Sequence, residues 1–254
     1  MAGTAPFGVY LFASGDPAAN AARDVERAVF LEVFGNTEEL LEKEYAPYEA
    51  ASVILCVMDH RREVAAGMMR VLLPSAAGFK SLNDLEPCWG VRVPAMLAAT
   101  GIELEERRTW DIATLAVAPE YRGKGATGLV TMGLFQAVTM TAWRLGMDWF
   151  VAVLDLPVFR LVRWRLHMTW AGFTDVPPMP YLGSSASLPA WCRIGPSKDF
   201  LAARDPDLHD LLFEGVGLGP ALTPVDLDAA AERVAGVAAA LVGPAAPCPL
   251  RSTT

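Results

Sequence analysis

The amino-acid sequence predicts an α/β fold, and two kinds of hydrophobic pattern predict it. Three apolar runs have the length and composition of buried strands, namely Ser52–Met58, Ile112–Ala118 and Met147–Leu154. Elsewhere, apolar residues recur at the three- and four-residue spacing of helices that bury one face. A glycine-rich turn joins the second run to a long apolar helix, so the middle of the chain has the order strand, turn, helix, strand.

The first 108 residues predict two more strands, two helical segments and one irregular stretch. In chain order these are a strand at Val9–Ala13, a helical segment at Pro17–Glu44, a strand at Val64–Leu73 and the irregular stretch Pro74–Arg108, with a short helix at Pro94–Thr100. The polar turn Asp59–Glu63 returns the chain from Ser52–Met58 into the second of these strands. This pattern predicts a hairpin.

The rest of the chain is mostly helical in its pattern. We expect helices at Leu129–Leu145 (capped by Gly146), Val158–Thr169, Asp205–Phe213 and Val225–Val242, and a loop with short extended pieces at Pro177–Pro196. The sequence pattern changes near residue 200, and the segments predicted beyond it are helical. The chain is therefore divided into a domain at 1–200 and a helical C-terminal extension at 201–254, which ends in a flexible tail.

Composition and charge narrow the class of protein. The 254 residues carry 21 Lys and Arg against 29 Asp and Glu, a net charge of −8, which disfavours binding to nucleic acid. The uncharged run Gly125–Trp143 is long enough to span a membrane, but its four Thr, one Gln and three Gly predict a buried core helix. Four separated cysteines and a poor signal sequence predict a cytoplasmic protein with reduced thiols and no metal site.

The most specific signal is the segment Thr114–Gly128, TLAVAPEYRGKGATG. A strand enters a glycine-rich turn and a helix follows at once, so backbone N–H groups at the helix N-terminus form an anion pocket. A phosphate-binding Walker loop requires Ser or Thr after its Lys, whereas Lys124 precedes Gly125. The dinucleotide pattern GxGxxG is present, but Pro119–Arg122 separates the strand from the first glycine, which is untypical of that fold.

The same segment resembles the acetyl-CoA-binding motif of the GCN5-related N-acyltransferases. That motif reads Arg/Gln-x-x-Gly-x-Gly/Ala after a strand that ends in Val-x-Pro, and Arg122, Gly125 and Thr127 occupy its fixed positions. Thr127 departs from the expected Gly or Ala, although Gly128 follows it. The resemblance covers about residues 8 to 200. It implies a mixed, twisted, largely antiparallel sheet flanked by helices, which splits between the strand before the motif and the next strand.

The resemblance also implies the donor and its contacts. The donor is an acyl-CoA or the acyl-phosphopantetheine of a carrier protein, used as a co-substrate with no permanently bound cofactor. The implied contacts are Leu115, Ala116 and Val117, whose backbones pair with the pantetheine arm and polarise the thioester, and the pyrophosphate loop Arg122, Gly123, Lys124, Gly125, Ala126, Thr127 and Gly128.

A second resemblance points to the autoinducer synthase branch, which includes acyl-homoserine-lactone and long-chain N-acyl amino acid synthases. It rests on the strings RAVF (27–30), EYAPYEAA (44–51) and MRVLLP (69–74). Arg70 falls on an Arg-Leu-Leu-Pro element and Glu49 on the second acid of an Asp-x-Tyr-Asp element, whose first acid is Ala46. Where that branch has Glu-Ile-Ser-Arg, this chain keeps the acid as Asp111 and has Thr114 for the arginine. These losses favour acylation of a different amine.

The attacking amine must lose a proton, so a carboxylate near the thioester is expected. Asp111 is the first candidate for this base and Glu49 the second. Arg70 binds a carboxylate of the acceptor or forms a structural ion pair, and the sequence leaves both open. The predicted activity is N-acylation of a primary amine on a small molecule or peptide.

Two alternatives remain at this level. One is a long-chain N-acyl amino acid synthase or an acyltransferase that tailors a peptide natural product, fed by an acyl carrier protein whose acidic surface would meet Arg160, Arg163 and Arg165. The other is a module that binds acyl-CoA without turnover. A homodimer is compatible with either, and the sequence does not choose the acyl chain length or the acceptor.

Overall fold

A mixed sheet of nine strands forms the centre of the computed structural model, which describes residues 5–122 and 126–242. The strands are β1 Phe7–Ala13, β2 Ser52–Asp59, β3 Val64–Leu72, β4 Thr109–Val117, β5 Trp149–Asp155, β6 Ala171–Gly172, β7 Met179–Tyr181, β8 Ser184–Arg193 and β9 Leu222–Thr223. Their order in space is β6, β8, β5, β4, β3, β2, β1, β9, and β7 also pairs with β8. Only the pairs β4–β5 and β1–β9 are parallel among these residues. The expected mixed, largely antiparallel sheet is confirmed.

Helices cover both faces of this sheet. Over the same residues they are α1 Asn20–Glu32, α2 Glu38–Tyr45, α3 Lys80–Asn83, α4 Val93–Thr100, α5 Ala126–Arg144, α6 Leu156–Arg160, α7 Ile194–Arg204, α8 Pro206–Phe213 and α9 Leu227–Val242. Helix α1 packs against β3 and β4, and α5 packs against β2 and β3. The two helices lie on opposite faces, because Arg70 of β3 contacts α1 whereas Gly67, three residues earlier, faces α5.

Helix α5 is the uncharged segment that was expected to be a buried core helix, and that prediction is confirmed. Val130, Leu134 and Val138 are almost fully buried against the sheet. Gly67 allows this close approach, because a Cβ there would lie 2.6 Å from Cγ1 of Val130. Within the part of the chain that the structure describes, no helix is both long and apolar enough to cross a membrane.

The single helical segment predicted over Pro17–Glu44 is wrong, since the chain forms two helices there. Gly35 adopts a left-handed φ of +67°, which ends the first helical stretch. The Thr37 side chain then accepts a hydrogen bond from the backbone N–H of Leu40 and caps α2. The break places α1 and α2 side by side over the sheet.

The prediction of a loop over Pro177–Pro196 is also wrong. Strand β8 fills half of it and pairs with the whole of β5, from Trp149 to Asp155. Pro189 and the serines of β8 lack the usual β-pattern, so only pairing with the buried β5 makes this segment a strand. The helix predicted at Val158–Thr169 is instead α6 followed by a π-helical turn at Leu161–Arg165.

The C-terminal segment packs into the main core. Strand β9 extends the sheet beside β1, and Phe213 of α8 contacts Trp143 of α5 with ring centroids 6.2 Å apart. Gln136 of α5 also donates to the backbone oxygen of Leu211. The division of the chain at residue 200 stays a prediction, and the predicted flexible tail lies at 243–254, outside the described residues.

Candidate active site

The two parallel strands at the centre of the sheet separate soon after they meet. Their pairing runs from Thr109 opposite Trp149 to Asp111 opposite Val151. Beyond that point β4 continues for six residues and β5 for four. The result is a wedge-shaped gap in the sheet, at the position where the resemblance implied a split.

The backbone of β4 is open along this gap. The N–H of Ala118 donates to the oxygen of Ala66, on the β3 side of β4. Since successive residues of a strand point their N–H and C=O groups to alternate sides, those of Leu115 and Val117 face the gap and those of Ala116 face β3. Arg122 crosses this edge, because its Nε lies 2.6 Å from the Val117 oxygen.

Arg122 follows the end of β4 by five residues. Arg122 is exposed and has an extended backbone, and the N-terminus of α5 follows at Ala126. Gly123, Lys124 and Gly125 lie outside the described residues, as do the side chains of Ala126 and Thr127. The predicted contacts of these five residues with a pyrophosphate therefore stay predictions. Gly128 lies in the first turn of α5, and a Cβ there would meet no atom within 4 Å.

A buried hydrogen bond fixes the start of this turn to the β2–β3 hairpin. The hydroxyl of Tyr121 donates to Oδ2 of Asp59 at 2.8 Å, and Oδ1 of Asp59 accepts the backbone N–H groups of Arg61 and Arg62. Burial raises the pKa of the Tyr121 hydroxyl, and its bond to Asp59 adds to this effect. The hydroxyl therefore stays protonated and holds the chain just before Arg122.

A cavity of about 640 Å³ lies between α1 and α2. Its lining consists of Arg23, Glu26, Arg27, Glu38, Leu41, Glu42, Tyr45, Ala46, Glu49 and Arg70. This volume is typical of small-molecule sites. Two of the three residues predicted to be catalytic, Glu49 and Arg70, meet here, whereas Asp111 is not among the lining residues.

Arg70 forms the floor of the cavity and is only 4% exposed. Its Nε and Nη2 bind the two carboxylate oxygens of Glu26 at 3.0 and 2.6 Å, and its Nη1 donates to Glu49 and Ser52. Burial by itself would lower the pKa of Arg70, but the charges and hydrogen bonds of Glu26 and Glu49 raise it. The guanidinium is therefore a permanent cation that is already held by carboxylates.

Glu26 connects this cavity to the central strand. Its Oε1 accepts a hydrogen bond of 2.6 Å from the hydroxyl of Thr114, which precedes Leu115 on β4. Thr114 also follows a β-bulge, because Ala113 is the extra residue between the pairs Arg70–Thr114 and Val71–Ile112. The acid end of the cavity thus lies beside the open edge of β4.

The sequence analysis did not single out Glu26, although a signal was present. Val29 and Phe30 follow it at the three- and four-residue spacing of one helix face, and both are buried. An acid on the core-facing side of an amphipathic helix indicates a buried partner of opposite charge. That partner is Arg70, which lies 44 residues further along the chain, so the local sequence around Glu26 could not identify it.

Asp111 is completely buried and points to the same side of the sheet as Arg70, because it pairs with Leu72. Ser81 donates to both of its carboxylate oxygens, through the hydroxyl at 2.6 Å and the backbone N–H at 2.8 Å. Burial raises the pKa of Asp111 to about 6, while the Ser81 bonds oppose this shift. Asp111 is the third residue of β4, whereas the predicted strand began one residue after it, at Ile112.

A second buried cation, Lys80, lies close to Asp111. Its Nζ contacts Glu44, Asp84 at 2.6 Å and the hydroxyl of Tyr181 at 3.0 Å. Burial acts to lower the pKa of Lys80, but the two carboxylates raise it overall. The ring of Tyr45 lies between the cations, 5.0 Å from the Arg70 guanidinium carbon and 5.4 Å from Lys80 Nζ.

The split sheet and the helix α5 that follows β4 match the fold that the resemblance implied, and solved structures align with this fold. FeeM, an N-acyl amino acid synthase from uncultured soil microbes, aligns with a TM-score of 0.56 at 15% identity, over 79% of this chain and 97% of that one. The acyl-homoserine-lactone synthase LasI gives 0.52 at 12% identity, over 75% and 91% of the two chains. TofI, in a complex with an inhibitor and MTA, gives 0.51 at 19%, over 79% and 99%.

The chain therefore has the fold that its motifs predicted, and its structure is similar to members of the predicted branch. No protein-family model matches the sequence, and no curated protein matches it. At these identities the likeness concerns the fold, so the chemistry must be argued from the site.

Proposed function

We propose that this protein is an N-acyltransferase that moves an acyl group from a thioester to a primary amine of a small molecule or peptide. The observation that carries the proposal is the open edge of β4, with Leu115 and Val117 facing the gap and the Glu26 end of a cavity beside Thr114. A donor in the gap and an acceptor in the cavity would meet at this strand.

The reaction is a direct transfer. The amine nitrogen attacks the thioester carbonyl carbon and forms a C–N bond, and the tetrahedral intermediate then breaks its C–S bond. The thiol leaves with one proton, and the proton lost by the amine passes to a base. Backbone N–H groups on the open edge of β4 would stabilise the oxyanion, which is commonly the largest catalytic contribution.

The proton acceptor stays a prediction between Asp111 and Glu49. Glu49 borders the cavity, but both of its oxygens already contact arginines, Arg23 and Arg70. Asp111 has a pKa of about 6, which suits a base near neutral pH, but its carboxylate is buried against Ser81. Asp111→Asn and Glu49→Gln separate them, because only loss of the base lowers kcat and removes the acidic limb of the pH–rate profile.

We propose acyl-CoA as the donor, held by Arg122 and the N-terminus of α5. A helix N-terminus and an arginine are the groups that bind a pyrophosphate. The protein would use the donor as a co-substrate in the cytoplasm, as its sequence predicts.

The experiment is a coupled assay of thiol release and amide formation. The purified protein is mixed with acetyl-, octanoyl- and palmitoyl-CoA and a panel of primary amines, and the product is identified by mass. Arg122→Ala should raise KM for the donor about ten-fold, since it removes one charged contact to phosphate. Arg107→Ala is the matched control, because Arg107 is also exposed but lies before the opposite end of β4.

Two results would contradict the proposal. Absence of amide product with every CoA thioester and with a carrier-protein thioester would exclude the transfer reaction. Tight binding of CoA without turnover would instead favour the binding module, and Asp111→Asn should then leave CoA binding unchanged.

A second candidate is a long-chain N-acyl amino acid synthase fed by an acyl carrier protein. The likeness to FeeM favours it, and so do Arg160, Arg163 and Arg165, which are all exposed beside Trp164, itself 62% exposed. An acidic carrier protein would complement this basic surface. Turnover with an acyl carrier protein that exceeds turnover with the same acyl-CoA, and that falls on reversal of these three charges, would identify this version.

A further inference from the structure

A second cavity, of about 340 Å³, lies away from the gap between β4 and β5. Its lining consists of Arg163, His167, Met168, Thr169, Trp170, Ala171 and Phe200. The Trp170 ring stacks on Phe150 of β5, with ring centroids 6.2 Å apart and 7° between the ring planes. Phe150 pairs with Trp110, the neighbour of Asp111 in β4, so it points to the α5 side of the sheet, opposite to Asp111. The second cavity therefore lies where the two strands are still paired, at the other end of β4 from Arg122.

The inner wall of the second cavity contains a hydrogen-bond donor that lacks an acceptor. Trp170 is only 2% exposed, and within the described part of the chain its indole Nε1 has no hydrogen-bond partner. An indole nitrogen can only donate a hydrogen bond. Because buried N–H groups in native proteins are nearly always paired, with protein, water or ligand, this donor indicates an acceptor atom from outside the chain.

Two cationic or neutral donors border the second cavity beside this indole. Nη1 of Arg163 donates to the backbone oxygen of Trp170 at 3.3 Å, which holds the guanidinium near the inner wall. Arg163 makes no ion pair with any residue that the structure describes, so its other N–H groups are available to a ligand. The ring of His167 forms no hydrogen bond over residues 5–122 and 126–242. None of the described lining residues is acidic, so the charge of the second cavity favours an anion.

The outer part of the second cavity is apolar. Phe200 of α7 is 41% exposed, although the next residue of the same helix, Leu201, is completely buried. The guanidinium carbon of Arg204 lies over the Phe200 ring, 5.8 Å from its centroid, and adds positive charge at the rim. Met168 and Ala171 supply further apolar surface. A ligand whose charged oxygens enter first, and whose apolar body stays against Phe200, matches this arrangement.

We infer that the second cavity binds a small oxyanion that is attached to an apolar group, such as an aromatic carboxylate or phosphate. The guanidinium of Arg163 and the indole N–H of Trp170 hold the oxyanion, and Phe200 contacts the apolar body. The volume is near the lower limit of small-molecule sites, which suits a ligand with one ring. This inference does not depend on acyl transfer, because the described lining contains neither the open edge of β4 nor a residue of the first cavity.

Calorimetric titration of the full chain tests the inference with benzoate, phenyl phosphate, benzamide and inorganic phosphate. Benzamide keeps the ring without the charge, and inorganic phosphate keeps the charge without the ring. The better of the two aromatic oxyanions should bind at least about ten-fold more tightly than either control, because both parts of the ligand contribute. The ratio of the affinities for benzoate and phenyl phosphate shows which oxyanion the site prefers.

Arg163→Gln and Trp170→Phe should each weaken binding of the preferred oxyanion about ten-fold, because each removes a donor to a charged group. Arg165→Gln is the matched control and should change the affinity less than about two-fold. Arg165 is exposed in the same π-helical turn, belongs to the same basic surface, and is not among the lining residues. Arg163 is exposed, so its substitution does not threaten the fold, and thermal unfolding checks that Trp170→Phe is folded.

Three results would overturn the inference. Absence of binding with all four probes would show that water alone occupies the second cavity. Equal affinity for the aromatic oxyanions and the two controls would exclude a site that reads both charge and ring. Equal effects of Arg163→Gln and Arg165→Gln would show only a general attraction of anions to the basic surface.

A titration in the presence of saturating coenzyme A separates this site from the donor site. The affinity for the oxyanion should stay the same, whereas its displacement by coenzyme A would assign the second cavity to the donor and contradict a separate site. If coenzyme A does not bind at all, the proposed donor is wrong, but the titrations with the four probes and the variants still decide the inference.

Discussion

Arg70 and Lys80 are two buried cations on the α1 side of the sheet, and they have different surroundings. Arg70 holds Glu26 through two parallel hydrogen bonds and borders the cavity between α1 and α2. Lys80 is surrounded by Glu44, Asp84 and Tyr181 and is not among the residues that line that cavity. The planar guanidinium fixes the orientation of a carboxylate, whereas the ammonium acts as a point charge between several oxygens.

This difference distinguishes a cluster that borders a ligand-binding cavity (the site) from a cluster that only stabilises the fold (the support). The Arg70 cluster presents oriented acids to a space large enough for a ligand, at the strand where the sheet splits. The Lys80 cluster joins α2, α3 and β7 and lies beside Asp111. We therefore expect changes in the first cluster to alter acceptor binding and stability together, and changes in the second to alter stability alone.

The largest effect is expected for Arg70→Met. The substitution leaves Glu26 buried without a counterion, which should lower the free energy of unfolding by about 3–5 kcal/mol in denaturant titrations. The double variant Arg70→Met, Glu26→Leu removes both charges and should recover most of this loss. A single variant that loses less than about 1 kcal/mol would show that water already reaches the pair.

Asp111→Asn tests the buried acid that lies between the two clusters. The folded-state pKa of about 6 exceeds the ordinary value of 3.8, so the folded protein binds the proton more tightly than the unfolded chain. The free energy of unfolding of the wild type, relative to the variant, should therefore fall by about 3 kcal/mol as pH rises from about 4 to 6, and stay constant above that. A flat difference across this range would contradict the burial of a titrating Asp111.

A smaller loss of about 2–3 kcal/mol is expected for Lys80→Met, because water partly reaches both Glu44 and Asp84. The acceptor affinity should stay within about two-fold of the wild type once the folded fraction is corrected. If Lys80→Met weakens acceptor binding as much as Arg70→Met does, the distinction between site and support fails.

The smallest effect is expected for Tyr181→Phe, which removes a hydroxyl bonded to Asp84 and Lys80. Loss of a hydrogen bond to charged groups should cost about 1–2 kcal/mol. Burial raises the pKa of Tyr181 far above its usual range, so this loss should be the same at pH 6 and pH 9. Thermal unfolding at the two pH values checks both statements.

The sequence by itself determined the middle of the fold. The central elements are consecutive along the chain, in the order β4, glycine-rich segment, α5 and β5. Each has a hydrophobic period or a glycine pattern from which its local structure can be predicted. The split of the sheet followed from the family resemblance that this segment carries. The segments that local pattern misassigned were the break at Gly35, the helix predicted at Val158–Thr169 and strand β8, whose Pro189 and serines give no strand signal.

Only the tertiary structure decided which charged groups meet. Glu26 and Arg70 are 44 residues apart, and Lys80 and Tyr181 are 101 apart, so no local spacing joins them. The same holds for Asp111, which the sequence marked as the first candidate for the catalytic base and the fold placed against Ser81. Residue type and periodicity fix the elements because those depend on neighbours along the chain, but the partner of a buried charge depends on which elements pack together, since only a group of opposite charge brought there by the fold offsets its lost hydration.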